Sequence, residues 1–444
     1  MSLPRPAPGA EDEGATPNDS AVPSDHVGDG GTFASLRIRD FRLLLAGTTL
    51  ANLAQWIQQI TLGWLVYDLT GSGTLLGSVN LVRSVPAVGA APLVGVVIDR
   101  VGRRTLMWIT NGWLFLITFG MGLLLVLGHA EVWALFAFSL LGGLAQTFNM
   151  TLRQTVVFDL VPRAVAPNAV ALMQTGWALM RSLGPAVGGY LILWLGAGGN
   201  FLVQAGTYVL IAFTILWIHF PPLGSQGRRS AAFENVREGI RFVIKEPVTR
   251  TFMMMGWVMP FLIIPIFVAL PPIYAKDVFH GGPEVLGFLL SAVGVGGIVG
   301  GLFTASLGRL ERRGVVQLAS LLLLSLSLTG FAFSSSLMIA LPFLALAGFF
   351  EMVYLTMNQT LLQLSIPNEL RGRVTSLVNL NPALSPIGSF FAGVGSDMLG
   401  GPRYITVIFC GIAAGIAVVV FLPSPTIRDY RLSRAIPPGS SGPV

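Results

Sequence analysis

Charge is what this chain of 444 residues has least of: 11% of its residues are Asp, Glu, Lys or Arg, against about a quarter in a soluble globular domain. With 53% of its residues apolar, a soluble multi-domain enzyme is excluded. Cysteine and histidine are also scarce. One cysteine, Cys410, and four histidines, His26, His129, His219 and His280, exclude a disulfide framework and leave no multi-ligand zinc site without heavy use of carboxylates. Lys245 and Lys276 are the two lysines among 27 basic residues. The net charge of +6 is spread over small arginine groups between apolar runs rather than along a basic stripe interleaved with aromatics, so no nucleic-acid partner is expected. Walker A, H-E-x-x-H and G-x-S-x-G patterns are absent, and Gly294-Val-Gly296-Gly297 sits in an apolar run where glycine serves helix packing. No cofactor, no metal and no enzymatic activity are expected. Without an ATP site in the chain, energy for any work would come from an ion gradient.

What the chain does have is long apolar runs. At about 20 residues per transmembrane helix, segments at about 41–67, 75–98, 105–127, 133–158, 166–195, 200–220, 251–273, 284–307, 315–333, 337–361, 373–398 and 403–422 read as twelve spans. The expected fold class is an all-α integral membrane protein with twelve transmembrane helices in two six-helix bundles. Residues 1–34, rich in Pro, Gly, Ser and acids and without the apolar core of a signal peptide, are expected to form a disordered cytoplasmic tail. The bundles are expected at 35–220 and 251–422, with a second cytoplasmic tail at 423–444. The connection 221–250 spaces Phe233, Val236, Ile240 and Val243 among Arg237, Arg241 and Lys245. That spacing fits an amphipathic helix on the membrane face, and a plain linker fits it equally.

Arginines fall on alternate loops: Arg37, Arg39 and Arg42; Arg100, Arg103 and Arg104; Arg163; Arg228 to Arg250; Arg309, Arg312 and Arg313; Arg371 and Arg373; Arg428, Arg431 and Arg434. The other side has little beyond Lys276 and Arg403. Because Lys and Arg are retained on the cytoplasmic side, both termini are expected there. A repeat supports the six-plus-six division. At an offset of 205, Gln154, Thr155, Pro162 and Leu172 recur as Gln359, Thr360, Pro367 and Leu377.

Two local patterns carry a family resemblance. The loop after the second run reads Gly95-Val-Val-Ile-Asp99-Arg100-Val-Gly102-Arg103-Arg104, and every specified position resembles the loop 2-3 signature of the major facilitator superfamily. In the fifth run, Gly184-Pro185-Ala-Val-Gly188-Gly189 resembles the helix motif of facilitator-family exporters. Its proline removes a backbone donor and its glycines offer a tight packing surface. The opening Phe41-Arg-Leu-Leu-Leu and the stretch from Gln146 to Leu172 are similar to the branch of enterobactin-type siderophore exporters and macrolide efflux pumps, except that Thr151 stands where that branch often has proline. The matching second-half loop, Gly308-Arg309-Leu-Glu311-Arg312-Arg313, has Gly308 where Asp99 stands. The resemblance, over roughly 40–425, implies a conformational latch at Gly95, Asp99, Arg100, Gly102, Arg103 and Arg104, and export rather than uptake. Pro86, Pro92, Pro382 and Pro386 are expected to let the second and eleventh spans bend.

Polar residues inside spans mark the candidate site, since lipid does not tolerate them on an exposed face. Helical spacing puts Thr48, Asn52, Gln55 and Gln59 on one face of the first span, Gln146, Asn149 and Arg153 on one of the fourth, and Glu351, Tyr354 and Asn358 on one of the tenth. The last two sets are the same three positions at the 205 offset. The resemblance implies that spans one, four, seven and ten line a cavity; interhelical hydrogen bonding explains each Asn or Gln equally well. The seventh span offers Met253, Met254, Met255, Trp257, Phe261 and Phe267, an adaptable apolar wall or simply core. Arg83, Arg181 and Glu351 lie well inside spans, the two arginines at comparable heights in the outer half. Glu351 is the proton-coupling candidate. The partners expected are a small-molecule substrate, protons and the lipid bilayer, with the chain acting as a monomer in a bacterial plasma membrane. The arginines suit an anionic siderophore and Glu351 a cationic drug; a lysophospholipid transporter and a non-transporting scaffold are the other readings.

Overall fold

The computed structural model describes residues 33–220, 240–307, 312–367, 370–378 and 383–421. Among these residues there is helix and connecting turn and no strand, as a chain surrounded by lipid requires when every backbone group must find its partner internally. The helices are α1 Arg39–Thr70, α2 Gly73–Val101, α3 Arg103–Val126, α4 Val132–Leu160, α5 Ala166–Trp217, α6 Pro247–Val278, α7 Pro283–Ser306, α8 Arg313–Phe333, α9 Leu337–Leu364, α10 Arg371–Val378, α11 Leu384–Met398 and α12 Pro402–Phe421.

Among the described residues, eight of these stretches are long and apolar enough to cross a membrane. One of them, α5, covers two of the twelve spans read from the sequence. Its 52 residues are broken at Gly196, whose φ of 69° is a left-handed conformation that glycine alone adopts freely, and the chain turns back there without a loop. α1 is long enough but carries more polar residues, and the eleventh span is described as α10 and α11, with residues 379–382 between them outside the described residues. α6 is a composite. Pro260, Pro265, Pro271 and Pro272 withhold backbone donors, and the helix widens to π geometry at Met259–Ile263 and Tyr274–Val278. By contrast α2 keeps its helical hydrogen bonding through Pro86 and Pro92. Pro382 and the second-half loop 308–311 lie outside the described residues, as do the tails and most of the 221–250 connection. Its described part is helical over 240–245, with Ile240 and Ile244 exposed and Phe242 and Val243 against the core, and α6 starts at Pro247, inside the expected linker.

Short connections alternate the helix ends, so the arginines gather at one end of the molecule and Lys276 and Arg403 lie at the other. The apolar cores differ between these ends. Phe41, Leu44, Ile98, Leu106, Leu152 and Val156 form a core of the first half alone near the arginine-rich end. Toward the arginine-poor end, Val66, Tyr67, Leu76 and Val79 join one continuous core with Ile273, Tyr274, Leu286 and Leu289 of the second half. Large apolar side chains such as Leu116, Leu210, Phe213, Leu302, Leu326 and Val419 stay exposed around the periphery, where lipid covers them.

The 205 offset survives in the packing. Leu152, Arg153, Val156 and Val157 are buried around exposed Gln154, and Met357, Asn358, Leu361 and Leu362 are buried around exposed Gln359. Thr151 donates to the carbonyl of Thr147 and Thr356 to that of Met352, the same bond in each repeat.

Candidate functional site

The two halves meet along two helix pairs, and small residues set both. On α5, Ser182, Ala186 and Gly189 recur at four and three residues, and on α7, Gly287, Ser291 and Gly294 do likewise, one face each. A Cβ on Gly189 would stand 2.5 Å from the carbonyl oxygen of Pro283, and one on Gly294 would stand 2.5 Å from the Cα of Ser182. Pro185 lacks the N–H that would bond the carbonyl of Arg181, and that oxygen lies against Gly294. The N–H of Ala186 donates to Ser291 Oγ across the seam at 3.1 Å. Within the first half, Gly184 lies against Trp56 and Gly188 against Ile57, so the glycines of this motif face α1 and α7 together.

One turn below, Arg181 reaches the other half. Its Nη2 lies 2.5 Å from Oε2 of Glu351 on α9, with 13% of the Arg181 side chain and 1% of the Glu351 side chain exposed. Its guanidinium also stacks on Trp177 at 5.6 Å. Arg181 is fifteen residues from Ala166 and fifteen from Gly196, and Glu351 is fourteen from Leu337 and thirteen from Leu364. Both therefore lie at mid-depth. The expectation that Arg181 belongs with Arg83 in one outer half is corrected: Arg83 is ten residues from the start of α2 and lies nearer the arginine-poor end.

Arg83 is partly exposed and has no carboxylate within ion-pair distance among the described residues. Its carbonyl oxygen lies where a Cβ on Gly143 would fall, at 2.0 Å, so α2 and α4 touch backbone to backbone at its level.

The other polar positions separate into two groups. Asn52, Gln55, Gln59 and Gln146 are partly exposed, and Gln146 Nε2 donates to Gln55 Oε1 at 3.0 Å. Asn149, Tyr354 and Asn358 instead turn into their own halves. Asn149 donates to Thr110 and accepts from Arg153, Tyr354 donates to the carbonyl of Met255 at 2.6 Å, and Asn358 accepts from Gln317 at 2.7 Å. At 5%, 0% and 6% exposure, they bind helix to helix and form no open wall in this state. Equivalent positions have also diverged, because Gln146 stays within its half while Glu351 crosses to the other. The sequence reading missed a buried network of Gln58, Thr61, Asn200, Gln204 and Tyr208 joining α1 to the second arm of α5. A polar residue every three to four positions along 200–208 was its signal. The α6 stripe divides too: Met253, Met255 and Phe267 are core, while Met254 and Trp257 are exposed.

In the loop signature, Gly102 has φ 85° and turns the chain between α2 and α3 without a spacer. Arg103 pairs with Asp159 at the end of α4, Arg104 reaches the carbonyl of Leu216, and Arg100 is exposed. Gly95 and Asp99 lie within α2, Asp99 in its last turn.

The chain matches the family described as transmembrane secretion effector over residues 30–436, and it belongs to that family of the major facilitator superfamily. It is therefore a multi-pass membrane transporter and not an enzyme. It is 27% identical over 400 residues to the multidrug efflux pump Tap of Mycolicibacterium fortuitum, covering 88% of this chain and 97% of the relative. With the staphyloferrin A transporter of Staphylococcus aureus it shares 25% over 388 residues, covering 86% and 95%. The crystal structure of a bacterial homolog to the human lysosomal transporter Spinster, inward-facing and unoccupied, superposes with a TM-score of 0.69 at 15% identity over 86% of this chain and 97% of that one, a likeness of fold.

Proposed function

We propose that this chain exports an amphipathic small molecule, a drug or a siderophore, from a bacterial cell by proton antiport with alternating access. The observation that carries the reading is the Arg181–Glu351 pair, which ties the two halves together at mid-depth. A buried ion pair is held at a desolvation cost that hydrophobic packing would avoid. A group that gives up its charge when protonated, placed across a moving seam, has a use that repays this cost. In this reading the charged pair belongs to the state closed at the arginine-poor end, and substrate loaded from the arginine-rich side parts the pair and opens that end. A proton from the outer side then binds Glu351 as substrate leaves there, the chain closes again with Glu351 neutral, and proton release on the arginine-rich side re-forms the pair.

Orientation follows the positive-inside rule: the arginine-rich end is cytoplasmic, with both termini, and the membrane is the plasma membrane. The shared core at the arginine-poor end and the separate one at the arginine-rich end correspond to an inward-facing state. The substrate class is supported by two relatives, one a multidrug efflux pump and one a staphyloferrin A transporter. Asn52, Gln55, Gln59, Gln146 and Arg83 are the groups proposed to meet the substrate, Gly184, Pro185, Gly188 and Gly189 to seat the seam, and Gly95, Asp99, Arg100 and Gly102 to Arg104 to govern closure of the cytoplasmic end. A single chain holds both halves and works as a monomer.

The test is efflux of a lipophilic cationic dye and of a catecholate siderophore from cells expressing the protein, with and without a protonophore. The reading expects efflux of at least one compound, abolished by the protonophore. Efflux that persists without a proton gradient would refute antiport, and failure with both compounds would move the assignment toward lipid transport.

A further inference from the structure

At the arginine-poor end, α2 and α11 touch without a side chain between them. The contact face is Gly73 and Gly77 on α2 and Ser389, Gly393 and Asp397 on α11, each series at intervals of four. A Cβ on Gly393 would stand 2.0 Å from the carbonyl oxygen of Gly73, and one on Gly77 would stand 2.6 Å from that of Ser389. Onto this seam α11 delivers the carboxylate of Asp397. Its Oδ2 accepts from Ser72 Oγ at 2.9 Å and from the N–H of Thr74 at 2.9 Å, and its Oδ1 accepts from the N–H of Gly73 at 2.8 Å.

The placement is informative because it is poor for the helix that carries it. α11 ends at Met398, so Asp397 puts a negative charge in a last turn, where the helix dipole disfavours it. The first turn of α2 has the opposite need: its N–H groups have no acceptor within their own helix and favour an anion. The carboxylate is thus unfavourable within its own half and favourable only across the seam. Two further contacts flank it, Tyr67 to Asp277 and Lys276 to Asp68 at 2.7 Å. The second is exposed on both sides, and such pairs contribute little.

We propose that Asp397 is a latch: its cap on the first turn of α2 holds the two halves closed at the arginine-poor end, and breaking it is required to open that end. The proposal rests on the transport reading only for the purpose of the opening. Asp397 acts by positioning α2 and touches no substrate.

The test uses the full chain with spin labels at His129→Cys and Ser335→Cys, exposed positions of the two halves at this end; the native Cys410, 1% exposed, stays unlabelled. Losing three hydrogen bonds to a charged group is expected to raise the ratio of long to short label separations at least about tenfold in Asp397→Ala. Asp397→Asn, which removes the charge and keeps the shape, is expected to shift it in the same direction and guards against a misfolded alanine variant. Gly393→Ala, which wedges the seam with Asp397 intact, is expected to do the same. Unchanged separations in Asp397→Asn and Gly393→Ala would overturn the latch. A shift in separations from a protein that exports neither test compound would uphold the latch and count against the export reading alone.

Discussion

Arg181 and Glu351 stand 2.5 Å apart across the two halves of the molecule, and each is the group whose loss the other tolerates least. Removing one member of a buried pair leaves an uncompensated charge, which costs about 3–5 kcal/mol, whereas removing both leaves a neutral and better packed site. Arg181→Met and Glu351→Gln are each expected to lower the thermal unfolding temperature in detergent. The double variant should recover most of that loss. Additive losses in the double variant would mean that the two groups are not coupled.

Arg83 has no such partner among the described residues, and the residue is partly exposed. Arg83→Gln is expected to reduce export of a catecholate siderophore at least about tenfold, the effect of losing a charge-assisted hydrogen bond. Export of a cationic dye should be unchanged or improved. Transport assays with both compounds on the same variant separate the outcomes, and an equal loss for both would place Arg83 in the scaffold.

Much of the fold could be read from the chain because lipid imposes rules that sequence obeys directly. Run length gave the spans, and the 205 offset gave equivalent burial around Gln154 and Gln359. The turn at Gly196 was less legible, since a chain reversal at one glycine leaves almost no polar gap. Side-chain direction was the harder problem. Periodicity put Asn149 and Arg153 on one face with Gln146, and Tyr354 and Asn358 with Glu351, but one helical face meets different neighbours at different depths. Toward the arginine-rich end that face meets helices of its own half, so Asn149 finds Thr110 and Asn358 finds Gln317. Only at the level of Glu351 does it meet the other half. The reach of Arg181 depends on how closely α5 approaches α7, which Ser182, Gly189 and Gly294 decide together and none of them announces alone.

The crossing of α2 and α4 at Gly143 is the tightest test of the packing within the first half. A Cβ there would fall 2.0 Å from the carbonyl of Arg83, and overpacking of this kind costs about 1–3 kcal/mol. Gly143→Ala is expected to lower the unfolding temperature, and Gly206→Ala, where a Cβ has no neighbour within 4 Å, to leave it unchanged or raise it. Equal behaviour of the two variants in a thermal-shift measurement would contradict the crossing.

In the proposed mechanism Glu351 carries the proton that drives export. Its most direct test is proton-gradient-dependent efflux of a lipophilic dye and a catecholate siderophore by the wild type and by Glu351→Gln, at matched expression. The account predicts that the variant loses gradient-driven efflux while still equilibrating substrate down its own concentration gradient. Gradient-driven efflux at the wild-type rate in Glu351→Gln would contradict it.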